Sequence, residues 1–239
     1  MMMTNRVMNL MRDRVDVFLA LTEFARQKFI QGGLPAESII TKPNFVEKDP
    51  GAKSADASYA LFVGRLTREK GVLTLLEAIK RLPGVPLKIV GKGPLGERLE
   101  RVVHRYALQN VEILGHQHRE EVIALMKKAR FLIFPSEWYE ACPMTILEAF
   151  ACGLPVITTA LGAMGEMVED EKTGLLAQPG NSESLAERME WAWSHESRMV
   201  EMGRNARAEY LRNYTAERNY QRLMDVYRIA AQRAKARFE

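Results

Sequence analysis

Tyr59-Ala60-Leu61-Phe62-Val63-Gly64-Arg65-Leu66-Thr67-Arg68-Glu69-Lys70-Gly71 is the stretch that decides the fold. Its first five residues are apolar without a polar break, the pattern of a strand buried on both faces. Gly64 ends the run, a short charged loop follows, and Gly71–Leu82 carries helix periodicity through Leu73, Leu76 and Ile79. The same alternation continues downstream. Pro86–Val90 (PLKIV) reads as a strand and Leu95–Tyr106 as a helix. Val111–Leu114 is a strand and Arg119–Ala129 a helix. Phe131–Phe134 (FLIF) is a strand, and Met144–Cys152 is a helix closed by Gly153. Pro155–Thr158 and Gly174–Ala177 are short strands. Apolar strands alternating with helices specify an α/β fold, a doubly wound parallel sheet covered on both faces.

Working outward, Ser182–Trp193, Glu196–Leu211 and Thr215–Ala236 read as three further helices, the first capped by Ser182. On the amino-terminal side, Met3–Met11 has helical character, Val15–Leu21 is a strand, and Phe24–Gln31 is a helix stopped by Gly32-Gly33. Ile39–Val46 (IITKPNFV) and a polar stretch, Glu47–Ser58 with Pro50, Gly51 and Ser54, come next, the latter reading as a linker. Met1–Val46 therefore holds one β-α unit with no sheet to join. The length of 239 residues, at ~150 per domain, gives about one and a half domains, and this unit is the fraction. The edge and apolar face of an orphan Val15–Leu21 strand call for a cover, so pairing with a second copy is an expectation.

Apolar residues make up 47% and charged residues 27%, which excludes a disordered tail, a collagen or a disulfide mini-protein. The formal charge is +4. From Ala186 onward there are 11 basic and 8 acidic residues, so +3 of the +4 lies in the tail. These charges are interspersed rather than blocked, which argues against nucleic acid. An Arg-rich terminal helix favours peripheral contact with an anionic membrane surface instead. Cys142 and Cys152 are too few for a four-thiolate zinc site and lack redox spacing, so they are expected to be reduced thiols in a cytoplasmic protein. No apolar run reaches the ~20 residues of a membrane span, and Asp13 and Asp16 interrupt the one stretch that resembles a leader.

In an open parallel sheet, ligands bind beyond the carboxyl ends of the strands, so the loops that follow the strands hold the candidate site residues. In the first, Gly64 allows a tight turn, and Arg65 and Lys70 flank a loop that enters a helix. Two cations with free backbone N–H groups suit a diphosphate; the alternative is a solvated basic loop. The second, Gly91-Lys92-Gly93-Pro94-Leu95-Gly96, matches the dinucleotide pattern G-x-G-x-x-G, with Glu112 about 20 residues on. It follows the second strand rather than the first, and Lys92 and Pro94 stiffen it, so a tight turn is preferred to NAD binding. The third, around His116, Gln117 and His118, lacks a carboxylate or Cys at ligand spacing. It reads as a polar loop that meets a nucleobase through its backbone, not as a metal site. In the fourth, Pro143 fits the first helical position, leaving the N–H groups of Met144 and Thr145 as an anion cradle. Glu140 precedes that cradle and Glu148 follows it about two turns inside the helix. Carboxylates accept bonds from paired hydroxyls, so sugars suit both; a structural Glu148 bonded to nearby backbone is the alternative. Two cations, an anion-binding helix end and two flanking carboxylates describe a site for a nucleoside diphosphate-sugar better than one for a nicotinamide dinucleotide.

These residues resemble glycosyltransferase family 4, the group 1 transferases of the GT-B fold. The likeness runs from Val15 to about Tyr227. It is strongest at Phe62-Val63-Gly64-Arg65-Leu66…Glu69-Lys70-Gly71 and at Glu140–Val156. The E-x7-E motif falls on Glu140 and Glu148, and Ala149–Ile157 resembles the EAxAxGxPVI run that follows. Asp170…Thr173-Gly174-Leu175-Leu176 resembles the next turn, DGxTGLL. The resemblance implies that Arg65 and Lys70 hold the donor pyrophosphate, that Glu140 contacts the transferred sugar and that Glu148 binds ribose. It also implies that Pro143–Thr145 cradles donor oxygens, that configuration is retained, and that neither a metal nor another cofactor is required. Pro143 stands where many members have Gly, and Gly165 stands near a frequent Pro. The implied organisation is a remnant of an acceptor domain (1–46), a linker (47–58), a donor-binding domain (59–195) and closing helices (196–239) that pack back towards the first part. On this reading a saccharide or glycolipid acceptor binds through a missing amino-terminal domain. The alternative is a non-catalytic partner or regulator of a full-length transferase.

Overall fold

The computed structural model describes residues 14–53 and 57–238. Its centre is a six-stranded sheet made of β3 (Tyr59–Val63), β4 (Leu87–Val90), β5 (Val111–Gly115), β6 (Ala129–Phe134), β7 (Val156–Thr159) and β8 (Gly174–Ala177). The order across the sheet is β5-β4-β3-β6-β7-β8, and every pair is parallel. Strands β3, β4 and β5 step outward in one direction, and β6, β7 and β8 step outward in the other. The direction reverses between β3 and β6, and a crevice opens at the carboxyl end of such a reversal.

Alternation along β3 shows why the sheet is a core. Ala60 and Phe62 enter one apolar cluster with Leu75, Ile79, Leu99, Phe131 and Ile133. Tyr59 and Leu61 enter the other, with Met126, Leu132, Phe134, Ile146, Leu147 and Phe150. Both faces are therefore dry, as an unbroken apolar strand requires. Helices α2 (Val72–Ile79) and α3 (Gly96–Arg105) supply the first cluster, while α4 (Arg119–Lys127) and α5 (Met144–Ala151) supply the second. Helix α6 (Ala163–Met167) follows β7. Then α7 (Ser182–Ser194) packs on α2, and α8 (Glu196–Asn213) packs on α5. The cap of α7 is Asn181, whose side chain accepts from the N–H groups of Glu183 and Ser184, one residue earlier than the Ser182 read from the sequence.

The amino-terminal unit differs from its expected form. The strand over Val15–Leu21 shrinks to β1 (Phe18–Ala20), and it is not an orphan. After α1 (Glu23–Gln31) the chain returns as β2 (Ile39–Thr41), which pairs in parallel with β1 in its own two-stranded sheet. Ile39–Thr41 is too short and too mixed for the periodicity to reveal it. The helical reading of Met3–Met11 lies outside the described residues. Helix α9 (Ala216–Phe238) reaches back to this unit: Asn219 donates to the Pro43 carbonyl (3.1 Å), and Arg233 to the carbonyls of Asp16 and Glu37 (2.9 and 2.7 Å).

The polar segment after Val46 reads as a linker, yet it is laid against the large sheet. Asp49 accepts from Arg207 (2.5 Å), and the Lys53 backbone N–H donates to Cys152 O (2.7 Å). The Lys53 ammonium is bonded to Ala129 O (2.7 Å). No helix among the described residues is long and apolar enough to cross a membrane.

Candidate functional site

The loops after β3 and β6 meet at the reversal point, backbone against backbone. Gly71 has φ +68, and a Cβ placed there would sit 1.9 Å from the Pro135 carbonyl oxygen. Only glycine fits both the left-handed geometry and that approach. Glu137 N–H donates to Glu69 O (2.8 Å), and Ser136 Oγ lies 2.9 Å from the same carbonyl. Arg65 and Lys70 are carried on one of these fused loops and Glu140 on the other.

Lys70 and Glu140 touch directly. Lys70 Nζ lies 2.5 Å from Glu140 Oε1, and the two side chains are only 15% and 20% exposed. Ser136 Oγ is 3.1 Å from that same carboxylate oxygen, and Ser136 is 1% exposed. The Ser136 carbonyl is held in turn by Thr159 Oγ1 (2.7 Å). Neighbouring Glu137 is used otherwise, since its carboxylate accepts from the Thr74 hydroxyl. Arg65 is exposed and makes no hydrogen bond or salt bridge among the described residues. Its field is still felt, because the Glu69 carboxyl is held below its ordinary value by its own backbone N–H and further by the charges of Arg65 and Lys70.

Helix α5 starts at Met144, as the helix reading over Met144–Cys152 places it, and only the role of Pro143 changes. Pro143 is the cap residue with ψ 115, not the first helical position, and it makes no side-chain cap bond. Its carbonyl accepts from the N–H groups of Ile146 and Leu147 (3.1 and 3.4 Å). The N–H groups of Met144 and Thr145 donate to no acceptor among the described residues. Two free donors and the dipole of an eight-residue helix thus face outward beside Glu140. Glu148, 16% exposed, accepts from Arg119 Nε at 3.1 Å. Its partner is therefore a side chain at the start of α4, not the neighbouring backbone that a structural role would use. His118, whose ring lies 5.7 Å from that of His116 (edge-on), precedes Arg119. Gln117 bonds back to Leu114 O (2.9 Å), leaving the His116–Gln117 loop as a turn at the end of the edge strand β5.

The G-x-G-x-x-G loop has a packing explanation. Gly91 has φ +143, and a Cβ there would fall 1.8 Å from Gly64 O; at Gly93 it would meet Leu66 O at 2.5 Å. Leu66 N–H donates to Lys92 O, and Leu95 N–H to Leu66 O (3.0 Å each). These glycines let one strand-end loop lie on the next, and they build up the wall behind Arg65. Cys142 and Cys152 are buried and free. Burial raises the Cys142 thiol and pushes that of Cys152 up to about 12, so neither is a nucleophile at neutral pH. Among the described residues no group of three or more His, Cys, Asp or Glu is placed to hold a metal ion.

Two features escaped the sequence reading. Ser136 tethers Glu140, and its only signal was a buried hydroxyl next to a proline. Glu166 on α6 reaches across to the amino-terminal unit, where its carboxylate accepts from Glu23 N and Phe24 N (2.9 and 2.6 Å). Beside it Thr22 Oγ1 donates to Ala141 O (3.3 Å), Asn44 to Cys142 O (3.4 Å), and Phe24 lies 4.9 Å from the Tyr139 ring. The loop that bears Glu140 is thereby pinned from both sides.

The sequence model of one family, described as "Glycosyl transferases group 1", matches residues 45–209. The chain belongs to that family. Its relatives include an uncharacterized glycosyltransferase of Methanocaldococcus jannaschii, 33% identical over 184 residues, which are 77% of this chain and 52% of the relative. They also include a D-rhamnosyltransferase of Pseudomonas aeruginosa, 34% identical over 160 residues (66% of this chain, 42% of the relative). The chain spans about half the length of the curated relatives it matches. Among solved structures, a glycosyltransferase of Rickettsia africae superposes with a TM-score of 0.83 at 20% identity, over 95% of this chain and 67% of that one. The Anabaena protein HepE, in complex with UDP and glucose, gives 0.77 at 23% identity, over 98% and 66%. The α/β fold and the group 1 resemblance read from the Gly64–Gly71 and Glu140–Val156 motifs both stand on these matches.

Proposed function

We propose that the chain is the donor-binding part of a glycosyltransferase that moves a hexosyl group from a nucleoside diphosphate-sugar to a saccharide or lipid-linked acceptor. One observation carries the reading. The sheet reversal joins a loop bearing Arg65 and Lys70 to a loop bearing Glu140 and the two free N–H groups of α5. Cations and backbone donors suit the diphosphate, and the carboxylates suit hydroxyls.

In the proposed reaction the acceptor hydroxyl oxygen bonds to the anomeric carbon. The bond from that carbon to the diphosphate oxygen breaks, and its electron pair stays on the phosphate. The hydroxyl proton passes to the departing diphosphate, and configuration is kept. Arg65, Lys70 and the Met144 and Thr145 N–H groups stabilise the charge that builds up on the leaving group. Glu140 and Glu148 hold sugar and ribose hydroxyls and so fix where that charge develops.

Titration calorimetry with UDP, GDP and their hexose conjugates tests the reading. Binding of at least one is expected, and folded protein that binds none of them sinks it. Arg65→Ala should weaken nucleoside diphosphate by about 1.5–3 kcal/mol while leaving free nucleoside unchanged. Equal losses for both ligands would remove Arg65 from the phosphate site.

A further inference from the structure

We propose that Glu140 competes with the donor diphosphate for Lys70, and that only the hydroxyls of an attached sugar draw it away. This rests on the donor-site reading above and assigns a discriminating role within it.

The Lys70–Glu140 pair is close and largely screened from water (2.5 Å; 15% and 20% exposed). A cation so placed cannot be left without a partner cheaply. A diphosphate therefore gains Lys70 only by displacing the carboxylate or by sharing the cation with it, which sets two anions side by side. Arg65, exposed and unbonded among the described residues, offers its charge with no such exchange. The two cations of the loop are thus unequal: Arg65 is open and Lys70 is guarded.

What the carboxylate receives in return depends on the ligand. An ionised carboxylate only accepts hydrogen bonds. A bare nucleoside diphosphate brings no donor to it beyond those on the ribose, whereas a hexosyl group brings several hydroxyls. Glu140 Oε1 lies 3.1 Å from Ser136 Oγ, whose single proton can turn to it from the Glu69 carbonyl (2.9 Å), and Oε2 makes no bond among the described residues. The side chain can therefore turn from Lys70 to a sugar without leaving its loop. Once the glycosyl group has gone, that compensation goes with it, and the carboxylate returns to Lys70 and weakens the hold on the spent diphosphate. The Glu148 pair differs because its cation, Arg119, is 52% exposed, so water can solvate that cation when the carboxylate turns to a ligand.

The test uses the full 239-residue chain and calorimetry with UDP, GDP, UDP-glucose and GDP-mannose, taking the base that binds the unmodified protein. Glu140→Gln should bind the bare diphosphate at least fivefold tighter and the sugar nucleotide more weakly, so that their affinity ratio falls at least tenfold. In a Lys70→Met background the same change should alter diphosphate affinity less than twofold. Glu137→Gln, which removes a carboxylate of the same loop that is bonded to Thr74, should alter the ratio less than twofold. If Glu140→Gln does not fold, Glu140→Ser must show the same two shifts. Diphosphate bound no tighter by the Glu140 variants, or tightened equally without Lys70, overturns the competition while leaving the donor site standing. An unmodified protein that binds none of the four overturns both.

Discussion

The two sheets of this chain are held in place by different means. In the six-stranded sheet Ala60, Leu61 and Phe62 are 0–1% exposed, and the loops beyond it meet backbone to backbone. In the two-stranded sheet, α1 has no buried residue at all, and only Ala20 and Ile39 are buried in β1 and β2. Two short strands cannot remove enough apolar surface from water to stand alone. Polar groups of the larger unit do the fastening instead: the Glu166 carboxylate and the backbone carbonyls of Ala141 and Cys142 from one side, the Asn219 and Arg233 side chains from the other. Three of these anchors sit within or beside the loop that carries Glu140. The weakly held part of the molecule is therefore fastened to the loop proposed to meet the donor sugar.

The contrast can be broken most severely at Gly71. Gly71→Ala forces a Cβ into the Pro135 carbonyl at a left-handed φ, and should cost about 3 kcal/mol or more. Urea unfolding would register the loss; a variant as stable as the parent would mean that the two loops are not rigidly joined. A smaller effect is expected at the weaker seam. Glu166→Ala removes both acceptors at the start of α1, and should loosen the small unit by about 1–2 kcal/mol, the lower part of the range because the contact is exposed. Hydrogen exchange should then quicken in residues 23–31 and stay unchanged in β3 and β6. Uniform quickening would show that the two regions open as one.

The smallest effect sharpens the seam between them. Burial, with Arg130 adding, lowers the Lys53 ammonium from 10.5 to about 8. Its charge therefore costs the fold stability fully below that value, and the cost is relieved as pH rises from about 8 towards 10.5. Compared with Lys53→Met, the parent should gain about 1 kcal/mol of unfolding free energy between pH ~7 and ~8.7. A constant difference across that range would mean that Lys53 is not held out of water against Ala129.

Most of the large sheet was legible in the sequence because its strands declared themselves locally as short, mainly apolar runs, those of β3, β4 and β6 ending at Gly64, Gly91 and Pro135. Arg65, Lys70 and Glu140 were legible for the same reason, since each lies on a loop after such a run, and Glu148 follows from its spacing to Glu140 in the helix that comes next. What could not be read was reach. Lys70 meets Glu140 across 70 residues, and nothing within either loop announces the pairing. The glycines at 91 and 93 signalled a close backbone approach, but what approached them was the Gly64–Leu66 loop rather than a cofactor. At β2 the signal itself was missing, because one buried and two half-buried residues leave no period to detect.

The span of the Glu166 contact bears on how the chain is made. Glu23 and Phe24 are synthesised 143 and 142 residues before the carboxylate that holds them. Asp16 waits still longer for Arg233, 217 residues on. Contacts so distant in sequence form late, and a nascent chain folds as it emerges. The first of the described segments to be synthesised is therefore among the last to be secured. In a series of stalled translation products, protease resistance over Phe18–Thr41 should appear only after residue 166 has cleared the exit tunnel, and should be complete only once α9 follows it.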